Sequence, residues 1–220
     1  MNGIGVTMKT YILEKTFDEP VVQTEKVAAV AEIFGIVPDS IGHSTLLEEL
    51  RVELGRGQVC LICGPSGAGK STVLELLKER LCDLIDLDEI VLPTGRSLVD
   101  CFDLPLGQTL QYLSLAGLSD ATVLLRTPWQ LSDGQRYRLR LALALSQQPA
   151  VVCIDECCAT LDRVTAAVVA HNIRKCADRY GTTFILATSH DDLLEDLNPD
   201  VVILKHLGAE VQVHYPREGR

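Results

Sequence analysis

Eight residues, Gly64-Pro65-Ser66-Gly67-Ala68-Gly69-Lys70-Ser71, fit the pattern G-x-x-x-x-G-K-[ST]. Such a loop wraps the phosphates of a nucleotide with its backbone N–H groups. The glycines let the backbone approach the anion, the Lys70 ammonium reaches the β- and γ-phosphates, and the Ser71 hydroxyl suits Mg²⁺. Thr72 follows in the helix that opens here, whose positive end faces the phosphates. A second chemical pair, Asp155 and Glu156, comes directly after the apolar run Val151-Val-Cys-Ile154. Open α/β sheets place ligands at the carboxyl ends of their strands. Asp155 is therefore expected to hold Mg²⁺ through water. Glu156, on the other side of the strand end, is expected to deprotonate the attacking water.

Between these segments lies Leu131-Ser132-Asp133-Gly134-Gln135, which resembles the L-S-G-G-Q signature of the ABC ATPases with Asp133 replacing the first glycine. The three segments in this order resemble the family's nucleotide-binding cassette. The resemblance implies ATP hydrolysis with Mg²⁺ by a homodimer that sandwiches two ATP molecules. It also implies that Ser132 and Gly134, flanked by Asp133 and Gln135, contact the γ-phosphate of ATP bound on the other subunit. Ser132 has a second, purely structural use, since serine is a natural helix N-cap. Ala159-Thr-Leu-Asp162 looks like the D-loop, with Asp162 at the subunit junction. Ala187-Thr-Ser-His190 looks like the switch loop, with His190 at the γ-phosphate. Lys70, Glu156 and His190 are the implied catalytic set.

Two family features depart from the pattern. No Phe, Tyr or Trp occurs between residues 35 and 100, so Phe34 is the nearest upstream candidate to stack on adenine, with His43 second. The Q-loop glutamine is also missing. Ser97-Leu-Val-Asp-Cys-Phe102 is expected to occupy its strand end, leaving Asp100 or Asp103 there, with Asp100 a further candidate for Mg²⁺. Gln108 lies close by, inside an expected helix.

The elements that must position these residues alternate between strand and helix. A strand over 8–17, a helix over 23–34 closed by Gly35, a buried strand over Gln58–Cys63 and a helix after Lys70 come first. Later come a strand at Ser97–Cys101, a helix over Leu106–Leu118, a helix over Ser132–Ser146 and a strand at Ala150–Ile154. A helix over 163–180 stopping at Gly181 precedes strands at Phe184–Thr188, Val201–Leu204 and Glu210–His214. Alternation of this kind predicts an α/β fold with a three-layer sheet core. The expected organisation is a single P-loop NTPase domain of the ABC type over 1–220. An N-terminal strand and helix fill 1–40, and a reduced helical region spans 82–131.

The 220 residues, 47% hydrophobic and 23% charged, are sufficient for a proper core. A net charge of −10 argues against nucleic-acid binding by bulk electrostatics, since phosphate backbones reward positive surfaces. No apolar run approaches the length of a membrane span, and no basic-then-apolar leader opens the sequence; a cytoplasmic protein is expected. Cys60-Leu-Ile-Cys63 has the C-x-x-C form, but on a strand that spacing sends the side chains to opposite faces. The eight cysteines are expected to be small buried hydrophobes.

Lys70 to Ser132 spans only 62 positions, which excludes a long coiled coil between them. Val99–Pro105, Leu131–Arg138, Ala159–Ala166 and Ala187–Leu194 resemble a group of soluble ABC-type ATPases, some fused to an acetyltransferase domain, for which no segment is expected here. Three readings follow. The first is a soluble ATPase acting on a protein or nucleic-acid partner without a membrane permease. The alternative is the ATP-binding subunit of an ABC transporter. The third, a small P-loop kinase, needs no signature and requires an acceptor-binding lid.

Overall fold

Residues 8–18, 21–37, 43–189 and 193–216 are described by the computed structural model. The strands are β1 (Lys9–Asp18), β2 (His43–Leu54), β3 (Val59–Cys63), β4 (Leu84–Asp86), β5 (Val151–Ile154), β6 (Thr183–Thr188), β7 (Val201–Lys205) and β8 (Val211–His214). The helices are α1 (Glu25–Phe34), α2 (Lys70–Lys78), α3 (Leu106–Leu115), α4 (Ala121–Leu124), α5 (Asp133–Ser146), α6 (Arg163–Tyr180) and α7 (Leu194–Leu197).

Six strands form one sheet in the order β4-β5-β6-β3-β7-β8. The first five are parallel and β8 closes the edge antiparallel. Every residue of β3, β5 and β6 is buried, as expected of strands covered on both faces. Alternation then divides the core. Val59, Leu61 and Cys63 enter one layer with Leu139 and Leu141 of α5 and Val169 and Ile173 of α6. Cys60 and Ile62 enter the other, with Val73, Leu74 and Leu77 of α2 and Leu13, Leu50 and Val52 of the β1–β2 ribbon. Cys60 and Cys63 therefore do face opposite ways. Burial pushes the Cys153 thiol up to about 12 and the Cys176 thiol up to about 11, so both stay protonated at neutral pH.

Local signals explain the element ends. Thr24 caps α1 by accepting from Val27 N–H at 3.2 Å, and Gly35 closes it at φ 64°. Gly181 closes α6 at φ 70°. Two strands escape the sequence reading, β2 and β4. The ribbon β1–β2 is antiparallel with register shifts at Lys15, and such a bulge blurs the period-2 pattern. β4 has only three residues, too few to show a period. At 97–101 the expected strand is instead a 3₁₀ turn, Leu98–Cys101. There Asp100 N–H donates to Ser97 O at 3.0 Å and the Cys101 thiol to the same oxygen at 3.2 Å. These local bonds replace the ladder a strand would need.

One ion pair fixes the far end of α2. Lys78 reaches Asp86 at the end of β4 and Glu75 at 2.6 Å. Burial works to lower its ammonium, but the two carboxylates outweigh it and hold Lys78 above the ordinary lysine range. Among the described residues no helix is long and apolar enough to cross a membrane.

Candidate active site

β3 delivers the chain into the glycine loop at the sheet's carboxyl edge. Gly64 has φ 155°, and a Cβ there would lie 2.0 Å from Lys205 O at the end of β7. Backbone on backbone leaves nothing to give way, so only glycine fits. Gly69, at φ 92°, starts α2 with Leu46 of β2 lying directly over it, a Cβ there falling 2.6 Å from Leu46 Cδ1. Gly67, at φ 76°, has open space in front of it. The loop is therefore pinned at both ends and open in the middle, a cradle that fits an anion. Lys70 Nζ donates to Pro65 O across the loop at 2.9 Å. Gly64→Ala is expected to unseat the loop, combining a strained φ of about 1–3 kcal/mol with the clash on Lys205. A melting scan and an ATP titration should show lower stability and at least tenfold weaker binding.

A cleft of about 260 Å³ opens over this cradle, lined by Ser66, Gly67, Lys70, Ser71, Asp155, Glu156 and the end of β6 at Thr188 and Ser189. Asp155 and Glu156 thus share one cleft rather than facing apart. The reason is backbone geometry: Glu156 has φ 45° and Cys158 φ 62°, so strand alternation ends at Ile154. Both values are unusual for residues with a Cβ, and such strain concentrates at functional sites. The turn is held by Glu156 N–H donating to Asp155 Oδ1 at 2.9 Å and Cys157 N–H to Ala187 O at 2.8 Å. His190 lies outside the described residues; Ser189, which precedes it in sequence, lines the cleft.

The signature segment stands elsewhere. Ser132 caps α5 by accepting from Gln135 N–H at 3.3 Å, while Gln135 Oε1 accepts from Ser132 N–H at 3.0 Å, a reciprocal capping box. Asp133 pairs with Arg136 at 2.5 Å. A Cβ on Gly134 would meet Thr160 O and Leu161 Cδ2, both at 3.0 Å, so the start of α5 packs tightly on the Ala159–Asp162 turn. Asp162 caps α6, and the Thr165 hydroxyl and N–H hold its carboxyl below the usual range. None of Ser132, Asp133, Gly134 or Gln135 lines the Lys70 cleft of the same chain. Asp133 and Arg136 instead line an adjoining hollow of about 300 Å³ together with Asp88, Arg140 and the same Asp155 and Glu156.

Three expectations need correction. Asp100 and Asp103 line a different hollow, with Arg96, Phe102 and Leu106, away from the phosphate cleft. The strand hydrogen-bonded beside β5 is β4, in register Leu84↔Val151 to Asp86↔Cys153, so Asp86 and Asp88 occupy the neighbouring strand end. Burial, then Asp86 and Asp155, push the Asp88 carboxyl up. Asp100→Asn is accordingly expected to leave the Mg²⁺ dependence of turnover unchanged within about twofold, as for an ordinary surface substitution. Phe34 is the third case. It is 70% exposed on a helix that buries none of its residues. Phe17, missed in the sequence, is better placed: it pairs with Ser44 on β2, two positions from the Leu46 that covers Gly69, with Lys15 Nζ 5.4 Å above its ring. The available signal was an aromatic residue closing the first strand.

A parallel sheet whose central strand feeds a glycine cradle, with an acidic pair at the adjoining strand end, defines a P-loop nucleotide-binding ATPase fold. A family model described as an AAA domain matches residues 41–197. An aliphatic sulfonates import ATP-binding protein of Pseudomonas syringae pv. tomato is 30% identical over 81% of this chain and 75% of its own length. An sn-glycerol-3-phosphate import ATP-binding protein of Rhodopseudomonas palustris is 30% identical over 76% of this chain. The chain spans only 54% of that relative's length. A solved dimeric ATP-binding cassette in a post-hydrolysis state with ADP and Pi superposes with a TM-score of 0.64 at 18% identity, over 96% of this chain and 99% of the other. The chain belongs to the ATP-binding cassette family, whose members are ATPases.

Proposed function

We propose that this cassette binds MgATP and hydrolyses it as a head-to-tail homodimer, with each site built from the cleft of one copy and the signature of the other. The observation that carries this reading is a separation. Lys70, Ser71, Asp155 and Glu156 share one cleft, whereas Ser132 and Gly134 open α5 without lining it, and a second copy docked head to tail would supply them.

Lys70 supplies the positive charge that binds the β- and γ-phosphates, and the cradle N–H groups fix their orientation. The Ser71 hydroxyl and the Asp155 carboxylate are the oxygen donors that would hold Mg²⁺, which neutralises phosphate charge when bound. Glu156 accepts the proton of the attacking water, exposed at the cleft and bent into it by its left-handed backbone. Phe17 offers its face to the base. Ser132, once docked, donates to the γ-phosphate.

The expectation of a non-membrane partner gains no support from the relatives, which are named import ATP-binding proteins. The transporter alternative is therefore the better reading: the homodimer serves as the ATP-binding subunits of a transport complex. Mg²⁺-dependent phosphate release from the purified protein tests the first half. Affinity purification from detergent-solubilised membranes tests the second, with stable capture of an integral membrane protein expected. Capture only of soluble proteins would return the balance to the soluble reading.

A further inference from the structure

The chain has one tryptophan, Trp129, and it is 77% exposed. Scattered apolar residues on a surface need no explanation, but this ring is presented with care. It sits in the 3₁₀ turn Pro128–Gln130. Pro128 just before it and Leu131 two residues after it are buried, so the backbone is anchored on both flanks. Thr127 N–H donates to Gln130 Oε1 at 2.9 Å, closing the turn. Leu125, 75% exposed, stands on the same stretch. A rigidly based, outward tryptophan is the kind of side chain that dominates contacts when covered.

We propose that Trp129 stacks on the base of the nucleotide held by the other copy, so that the base is gripped by Phe17 from its own chain and by Trp129 in trans. This rests on the head-to-tail reading above. Trp129 lies three residues before Ser132, and three residues of chain reach at most about 10 Å, comparable to the distance from a γ-phosphate to the base it carries. A copy that docks Ser132 on the γ-phosphate therefore holds Trp129 within reach of the base end of the same molecule. On the receiving side, Phe17 near the end of β1 pairs with Ser44, two positions from the Leu46 that covers Gly69, and a base resting on it leaves its second π-face open. The ligand class is a nucleotide with a broad, flat base; stacking alone would favour purines.

The single tryptophan makes the test direct. Glu156→Gln protein is titrated with MgATP while sedimentation separates monomer from dimer and intrinsic fluorescence follows Trp129. Emission should change with the same midpoint as dimerisation. Trp129→Ala should raise that midpoint about tenfold, and Trp129→Phe much less. To separate a base contact from a protein contact, 2-azido-ATP is loaded on Glu156→Gln protomers, which are mixed with isotope-labelled Lys70→Ala protomers and irradiated. The label should appear in the tryptic peptide 127–136 of the Lys70→Ala protomer. A dimer with unchanged emission, or one whose photolabel stays on the ATP-loaded protomer, overturns the role of Trp129 while leaving the dimer standing. Absence of any dimer at saturating ATP overturns both readings together.

Discussion

Lys70→Ala is expected to weaken ATP binding at least a hundredfold. Lys70 is the one cation among the described residues lining the phosphate cleft, where Asp155 and Glu156 already place two carboxylates. Removing it leaves a negative cleft facing a tetra-anionic ligand. Each charge-assisted hydrogen bond to phosphate contributes about 1.5–3 kcal/mol, and Lys70 serves two phosphates. The fold should survive, because the Lys70 ammonium makes only a loop contact, to Pro65 O. Isothermal titration beside a melting scan measures both. Binding within threefold of the parent, on a protein that melts normally, would mean the ammonium is not directed at the phosphates.

Glu156→Gln should keep ATP affinity while turnover falls by about 10²–10⁴. The amide has the same shape as the carboxylate and keeps the turn that Cys157 N–H anchors on Ala187, yet it cannot accept the proton of the attacking water. Single-turnover phosphate release with enzyme in excess isolates the chemical step. Turnover at the parent rate would move the base to another group, Asp155 being the nearest carboxylate in sequence and cleft.

The sheet's buried strands and the three motif loops were legible because each combines a short apolar run with glycines or carboxylates at fixed offsets. Val59–Cys63 into Gly64, and Val151–Ile154 into Asp155, read from sequence as they stand in the structure. The Ser132 cap was legible for the same reason, since capping needs only neighbours in sequence. What escaped depends on contacts distant in the chain. β4 is recognisable only through its pairing with β5, 65 or more positions later, so nothing near in sequence marks Asp86 and Asp88, rather than Asp100, as the neighbouring strand end. Phe34 is nearer than Phe17 to the phosphate loop in sequence, but distance along the chain is not distance in space. The ribbon β1–β2 folds Phe17 back beside Leu46, whereas α1 leaves Phe34 in solvent. The shared orientation of Asp155 and Glu156 required a positive φ on a glutamate, which no residue type announces.

The central claim is that each site is shared between two copies, and complementation measures it. Lys70→Ala and Ser132→Arg homodimers should each hydrolyse ATP at background rates, one lacking the cradle charge and the other the signature. Mixed in equal amounts, random pairing makes about half the dimers heterodimers, each with one intact site, so activity should return to about a quarter of the parent. Ser132→Arg also loses its helix cap, a cost of about 1 kcal/mol, so its melting temperature is recorded alongside. Recovery near that level is the predicted result. A mixture of two folded variants that stays at background, or a Ser132→Arg protein that is active alone, would contradict the shared site.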